Sequence, residues 1–520
     1  MTRMATQADS QSAGPTAGRT EFLAGKAGIF EPYAGRIERG LSIVLCLIIL
    51  AIVLRWWIPG IFSSYWLDET ASLWVTGGGV WQIVHRVFVF PQSLAHSFLM
   101  GLAGSLLGSS PIVFHLLSLT ASCFTAFGIY RLALPRLPLS GAFLAVVLWA
   151  TADYNYSLVT EARCYAFAMA ASVACAWQAE RWLENPSWLN TCLLGFGGVL
   201  PSYFFSPDIV ILGSVVLYAL VRYPRLRNVP LGRIYGIIGI WAFFSAIPVT
   251  HYLAVSRIWS IHGHRFLQPE SRFSLAWELV PMRVAVSYVV ACAFGLALPG
   301  SRTADRKDHQ ELVVLSLVFG AVLPCVLFVA SKRGEIHWMA RYLCSITPFS
   351  ALLQATLLTS IRPIPARLLA LTVLATFAVP SAFFAPTWKF DRYGRSYETA
   401  ISEVRAQLEQ PGTTLIGASE YDEGRIWTFP VSDDDRSWLM SPVTTLIPEA
   451  KPIVIPFQSR QAGKAYWEAT IPELRKLDRV VYFGAPVPDW LDGVYSGGAW
   501  VKSVLLSRKE WEVVTYTRRP

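Results

Sequence analysis

Two adjacent carboxylates, Asp68 and Glu69, stand just beyond the first long apolar run, in the segment Tyr65-Trp66-Leu67-Asp68-Glu69. An acid at a membrane boundary reaches a substrate held at headgroup level and can take a proton from an incoming hydroxyl. The competing reading of Asp68 is a helix cap, because Glu69-Thr70-Ala71-Ser72-Leu73-Trp74 makes a fair helix start. A second polar group runs from Asp153-Tyr154-Asn155-Tyr156 to Glu161-Ala162-Arg163-Cys164-Tyr165. A third is Lys332-Arg333-Gly334-Glu335-Ile336-His337-Trp338-Met339-Ala340-Arg341-Tyr342. Arginines such as Arg163 and Arg341 suit a phosphate, which they bind by charge-assisted hydrogen bonds, although an arginine at a helix end can also simply snorkel to the interface. Lys332 and Arg333 read more readily than Arg341 as contacts to anionic headgroups. His262-Gly263-His264 is a thin basis for a metal site, since zinc needs three or four such ligands.

The elements that must position these residues are membrane helices. Of 520 residues, 53% are hydrophobic and 15% charged, and the apolar ones cluster into runs long enough to need lipid around them. Apolar spans are expected near 41–58, 112–130, 139–152, 163–180, 187–204, 208–221, 234–253, 280–298, 312–330, 342–360 and 366–385, about eleven crossings in all. Arginines and lysines gather between alternate spans, at Arg131 and Arg136, Arg181, Arg222 to Arg233, Arg302 to Lys307, and Arg362 with Arg367. The positive-inside bias places those loops and the N-terminus in the cytoplasm. Residues 1–40 read as a cytoplasmic tail whose first 35 are rich in Ala, Gly, Ser, Thr and Gln and expected to be disordered. The opposite loops, 59–111, 153–162, 254–279 and 331–341, then carry or border the residues singled out above.

The formal charge of +9 comes without basic helices or aromatic-interleaved patches, so topology explains it better than nucleic acid. All eight cysteines lie in or beside apolar segments, with no CxxC pair, which argues against a disulfide framework or a thiolate metal site. From 386 onward charge rises, and helical stretches (394–409, 463–477) alternate with β-rich runs (413–418, 452–456, 479–483, 511–517). The expected fold is a polytopic α-helical membrane module over 41–385 followed by an extracytoplasmic α/β domain over 386–520. With no GxGxxG or Walker loop, that domain is assigned no cofactor.

The three polar segments, in this order and on one side of the membrane, resemble the GT-C glycosyltransferases, in particular bacterial relatives of protein O-mannosyltransferase and lipid A aminoarabinose transferase. The anchors are Asp68-Glu69 in a long first outer loop, Leu106-Leu107-Gly108-Ser109-Ser110-Pro111 leading into the second span, Arg163-x-Tyr165, and Arg341-Tyr342-Leu343 followed by Pro348. The likeness covers roughly 41–385.

The resemblance implies a sugar moved from a polyprenyl phosphate to a lipid-linked glycan, lipid A or protein acceptor at the outer face of the bacterial cytoplasmic membrane. Asp68 takes the catalytic position, while Arg163, Arg341, Tyr165 and Tyr342 take the donor phosphate. Glu69, Glu161, Asp153 and His337 are secondary candidates for acceptor positioning. A divalent cation is an optional partner, with His262 and His264 as weak ligands. Relatives often carry a basic residue and two prolines where this chain has Val89-Phe90-Pro91-Gln92-Ser93, and His115 stands near an expected arginine.

The residue types agree with that chemistry. A phosphate on C1 is already a good leaving group, so the enzyme mainly deprotonates the nucleophile and stabilises the departing charge. A flippase or transporter of a lipid-linked sugar is the competing class; it predicts charges at the bilayer midplane and paired broken helices. A ligase or polymerase would move a whole glycan instead of one sugar, and a noncatalytic scaffold would use the terminal domain to bind partners.

Overall fold

The structure, a computed structural model, describes residues 33–63, 65–90, 92–152, 155–262, 303–332, 340–361, 367–372, 395–418, 432–455, 464–507 and 511–520. The expected tail over residues 1–32, the expected span at 280–298, and Asp153, His264 and His337 lie outside them.

Helix α1 (Ala34–Ile52) continues as a π-turn over Val53–Trp57 and an α-turn over Ile58–Ile61. Pro59 has no N–H to give to the carbonyl four residues back, which disfavours regular winding at this point. The first loop folds into α2 (Leu67–Thr76), α3 (Val80–Val89) and α4 (Leu94–Leu107). The bundle continues with α5 (Pro111–Ala133), α6 (Leu139–Ala150), α7 (Tyr165–Glu184), α8 (Trp188–Phe204), α9 (Ile211–Val221), α10 (Leu231–His262), α11 (Thr303–Lys332) and α12 (Thr347–Thr359).

Among the described residues, four helical stretches are long and apolar enough to cross a bilayer: Gly35–Ile61, Pro111–Ala133, Leu231–Val255 and Asp308–Val326. With the membrane-protein fold described below, they make this a membrane-embedded protein. Shorter apolar helices pack among them. Trp57 of α1 meets Trp149 of α6 edge-on at 6.1 Å. Gly128 of α5 lets α7 approach so closely that a side chain there would collide with Val173, the close backbone approach that small residues give membrane helices.

Several of the expected spans come out shorter than a bilayer needs, for example 12 residues in α6 and 11 in α9. The missing length has gone into irregular segments: the turn at Thr151–Ala152, the short helix Asn155–Leu158, the 3-10 turns Ser206–Val210 and Ala340–Ile346. All lie at the bundle end that carries α2 to α4. Such backbone is tolerated at membrane depth where protein packs around it.

At the opposite end the arginines find partners. Arg136 Nη2 lies 2.7 Å from Glu180 Oε1, which also accepts the Tyr218 hydroxyl at 3.1 Å. Arg222 and Arg225 reach Glu311 at 2.7 and 3.3 Å. Each pair spares a charge from standing alone in a dry interior.

The C-terminal domain runs α13 (Arg395–Leu408), β1 (Thr413–Ala418), α14 (Asp433–Leu439), α15 (Ser441–Thr444), β2 (Ile453–Ile455), α16 (Lys464–Leu474), β3 (Arg479–Gly484), α17 (Asp489–Val494), β4 (Trp500–Ser507) and β5 (Glu512–Arg518). The strands order as β2-β1-β3-β5-β4, parallel from β2 to β3 and antiparallel thereafter. Alternate residues feed two cores. Ile416, Val480, Tyr482 and Val514 pack on one face with Leu474 and Leu491. Leu415, Val481, Phe483 and Val513 pack on the other with Ala400, Val404 and Trp438, and that second core runs on into Trp74, Val75, Ile83, Val87 and Phe90 of the first loop. The four β-rich runs expected from sequence appear as β1, β2, β3 and β5; β4 is the strand not foreseen.

Candidate active site

The site is built on the first turn of α2. Trp66 precedes the helix, and Glu69, in its first turn, folds back so that Oε2 accepts the Trp66 backbone N–H at 3.0 Å, half of a capping box. Trp66, and not Asp68, thus stands at the N-cap position, with Asp68 inside the first turn. Glu69 is 2% exposed, and its Oε1 also accepts the Ala162 N–H at 2.7 Å and lies 3.1 Å from His115 Nε2. His115 Nδ1 lies 3.1 Å from the Ile61 carbonyl. One buried carboxylate thus ties together the end of the first span, α2, α5 and the turn before α7. Tyr65 adds to the same joint by donating to the Ser109 carbonyl at 2.9 Å.

Successive helical residues point about 100° apart, so inward-facing Glu69 leaves Asp68 on a different azimuth, where it is half-buried. Its backbone carbonyl accepts Arg163 Nη1 at 3.0 Å. The same Nη1 lies 3.0 Å from Ser72 Oγ and 3.4 Å from Gln92 Oε1, and Ser72 Oγ is 3.0 Å from Gln92 Oε1. Arg163 leans over the Tyr165 ring, 5.7 Å from its centroid. Burial opposes the guanidinium's charge, but Tyr165 and the Asp68 carboxylate more than offset it, leaving its pKa above the usual arginine value. Its Nε is buried and has no hydrogen-bond partner among the described residues.

Several residues of this wall were not singled out in the sequence. Ser72 and Gln92 orient the Arg163 fork; the first is one helical turn beyond Asp68, a spacing that places both near one face. His96 on α4 is 2% exposed, packs edge-on to Phe167 at 5.6 Å, and has no partner for Nε2 among the described residues. Burial first, then the nearby Arg163 charge, pushes its pKa down to about 3, with Glu69 acting the other way, so the ring is neutral.

Asp208 is fully buried in the turn between α8 and α9 and accepts the Ser345 hydroxyl. Ser345 belongs to the Ala340–Ile346 turn that carries Arg341 and Tyr342. Thr347 holds the other side of that turn, 3.1 Å from Asn155 Nδ2. Buried acids at breaks in membrane helices have no apolar rationale, and their signal is that anomaly alone.

The predicted residues divide accordingly. Asp68, Glu69, Arg163, Tyr165 and the buried Glu161 come together around α2. Arg341 and Tyr342 lie on the Ala340–Ile346 turn, and His262 is the last residue of α10. Among the described residues, no group of three or more His, Cys, Asp or Glu side chains is placed to hold a metal ion.

No family model and no curated protein sequence matches this chain. Solved structures do. ArnT from Cupriavidus metallidurans, bound to undecaprenyl phosphate, superposes with a TM-score of 0.51 at 10% identity, covering 91% of this chain and 98% of that one. The Archaeoglobus fulgidus oligosaccharyltransferase in complex with Zn and sulfate gives 0.44 at 11% identity over 85% and 67% of the two chains. The archaeal oligosaccharyltransferase AglB from the same organism, with an inhibitory peptide and a dolichol-phosphate, gives 0.39 at 13% over 87% and 70%. The chain has the fold of the GT-C glycosyltransferases, as its likeness to ArnT over nearly the full length of both chains shows.

Proposed function

We propose that this GT-C-fold protein is an inverting glycosyltransferase that moves a sugar from a polyprenyl phosphate to a glycolipid, glycan or protein acceptor on the extracytoplasmic face of the bacterial cytoplasmic membrane. The observation that carries the reading is the anchoring of Arg163 Nη1 on the Asp68 carbonyl and on Ser72, which sets a guanidinium beside an acid on one short helix. The undecaprenyl phosphate held by ArnT, the solved structure of like fold, supports a lipid phosphate as the ligand.

In this mechanism Asp68 is the general base. The acceptor hydroxyl attacks C1 from the face opposite the phosphate, its proton passes to the Asp68 carboxylate, the C1–O bond to phosphate breaks, and polyprenyl phosphate leaves with the bonding pair. Configuration at C1 inverts. A positioned base of this kind contributes about 10² to 10⁴ in rate. Arg163 takes charge developing on the leaving phosphate, where a preorganised donor in a dry site acts most strongly, and the family resemblance assigns Arg341, Tyr165 and Tyr342 to the same phosphate. Glu161, Asp153 and His337 keep the acceptor-positioning roles that the family resemblance implies. Glu69, with three hydrogen-bond partners, is assigned to holding the site together rather than to substrate.

A transporter is disfavoured because Asp68, Arg163 and the polar groups around them gather at one end of the bundle instead of its middle. Purified protein in lipid, given labelled polyprenyl phosphate hexoses and pentoses together with membrane lipid extract, tests the proposal. Label entering an acceptor as polyprenyl phosphate is released supports it. Absence of bond cleavage with every such donor, or label crossing the bilayer still attached to its lipid, refutes it.

A further inference from the structure

Helix α2 spans ten residues, too few to hold its own shape or orientation without tertiary support. Glu69 secures one side of its first turn. The remaining support comes from the C-terminal domain, some 370 residues away in sequence by the separation of the bonded pairs. Thr70 is fully buried; its hydroxyl lies 3.5 Å from Ser441 Oγ, and its carbonyl accepts the Thr445 hydroxyl at 3.2 Å.

Trp74, one turn further on, packs edge-on to Phe90 at 4.9 Å, and Phe90 lies 5.1 Å from Trp438 of α14. The C-terminal end of α2 is capped by Arg86, which donates to the Trp74 and Gly77 carbonyls at 2.7 and 2.8 Å and stands 3.8 Å from Asp434. Behind this contact, Arg405 of α13 donates to the Leu446 carbonyl at 2.6 Å, so the segment touching α2 is itself tied to the helix covering the sheet. The apolar core is continuous across the junction.

We propose that the C-terminal domain is a positioning component of the Asp68 site. The Ser441–Thr445 segment sets the rotation and height of α2, and through it the direction of the Asp68 carboxylate relative to Arg163. Thr445 and Ser441 are positioning residues; neither touches substrate. The inference rests on the glycosyltransferase reading for its catalytic consequence and on contacts alone for its mechanical one. Displacing a reacting group by about 1 Å can cost on the order of 10²-fold in rate, so a clamp two residues from Asp68 acts on kcat before it acts on donor affinity.

The test uses the full chain in lipid nanodiscs with Thr445→Val, Thr445→Ser and the double variant Ser441→Ala/Thr445→Val. Two readouts are taken: donor kcat and KM, and backbone amide hydrogen exchange over residues 66–76. The expected result is a kcat lowered about ten- to a hundredfold in Thr445→Val and in the double variant. Donor KM stays within about twofold, a shift too small to reflect a lost substrate contact. Exchange in α2 is faster while the sheet stays protected, and Thr445→Ser behaves as wild type. Should the double variant lose protection in the sheet as well, Thr445→Val alone decides. Unchanged exchange over 66–76 together with unchanged kcat overturns the proposal. If the wild type turns over no donor, the glycosyltransferase reading falls, and exchange in α2 still decides whether the clamp exists.

Discussion

Glu69 Oε1 lies 3.1 Å from His115 Nε2 in an interior that leaves the two side chains only 2% and 1% exposed. The proposed division of work between two neighbouring acids is that Glu69 holds the fold and Asp68, on another azimuth of the same turn, acts as the base. Glu69→Gln removes one carboxylate acceptor from a joint of three partners. The loss of a buried, charge-assisted acceptor costs about 1–3 kcal/mol. Thermal unfolding in a fixed lipid or detergent is expected to show a clearly larger drop in midpoint for Glu69→Gln than for Asp68→Asn. Equal midpoints in the two variants contradict the division.

Arg163 offers a planar fork to the Asp68 carbonyl, Ser72 and Gln92, and a lysine offers a single point charge on a flexible stem. Arg163→Lys is expected to raise the KM for a polyprenyl phosphate sugar about tenfold or more, the equivalent of one charged hydrogen bond. Gln92→Ala shifts it in the same direction by less, since Gln92 only orients the fork. Steady-state kinetics with donor varied checks both; an unchanged KM in Arg163→Lys removes this residue from the phosphate site.

His96 gives a pH signature. Its pKa in the fold is about 3 against about 6.5 in the unfolded chain, so between those values the unfolded state binds a proton that the folded state refuses. The stability it contributes is fully present above pH 6.5 and is lost as pH falls from there toward 3, with a limiting slope of about 1.4 kcal/mol per pH unit. Denaturation at pH 7.5 and pH 5 should show a smaller acid loss for His96→Gln than for wild type. The same loss in both proteins excludes His96 as its source.

Much of this architecture is legible in the sequence because apolar helices announce themselves by composition. Asp68, Glu69 and Arg163 stand out for the same reason, as charges against an apolar background. What the sequence withholds is partnership across distance. Nothing local says that Glu69 caps its own helix and Asp68 does not, that His115 faces Glu69, or that Thr445 reaches the Thr70 carbonyl. Residues such as Ser72 and Gln92 are unremarkable until Arg163 is folded onto them. Strand β4 escaped because Lys502 and Ser503 interrupt its apolar residues and most of the strand is exposed, unlike the buried strands.

Asp208 holds the turn bearing Arg341 through its bond to Ser345. Asn can accept the same hydroxyl, and Ala cannot. Asp208→Ala is expected to lower stability by about 1–3 kcal/mol, the range for orphaning a buried partner, and to raise donor KM, while Asp208→Asn stays near wild type in both. Paired unfolding and kinetic measurements check this; equal behaviour of the two variants contradicts a hydrogen-bonded anchor.

In the proposed mechanism the Asp68 carboxylate takes the acceptor's proton. Single-turnover release of polyprenyl phosphate from a labelled donor, followed side by side in wild type and Asp68→Asn at matched folding and lipid, measures that step directly. The expected rate is about 10² to 10⁴-fold lower in Asp68→Asn with donor binding retained. Release at the wild-type rate contradicts it.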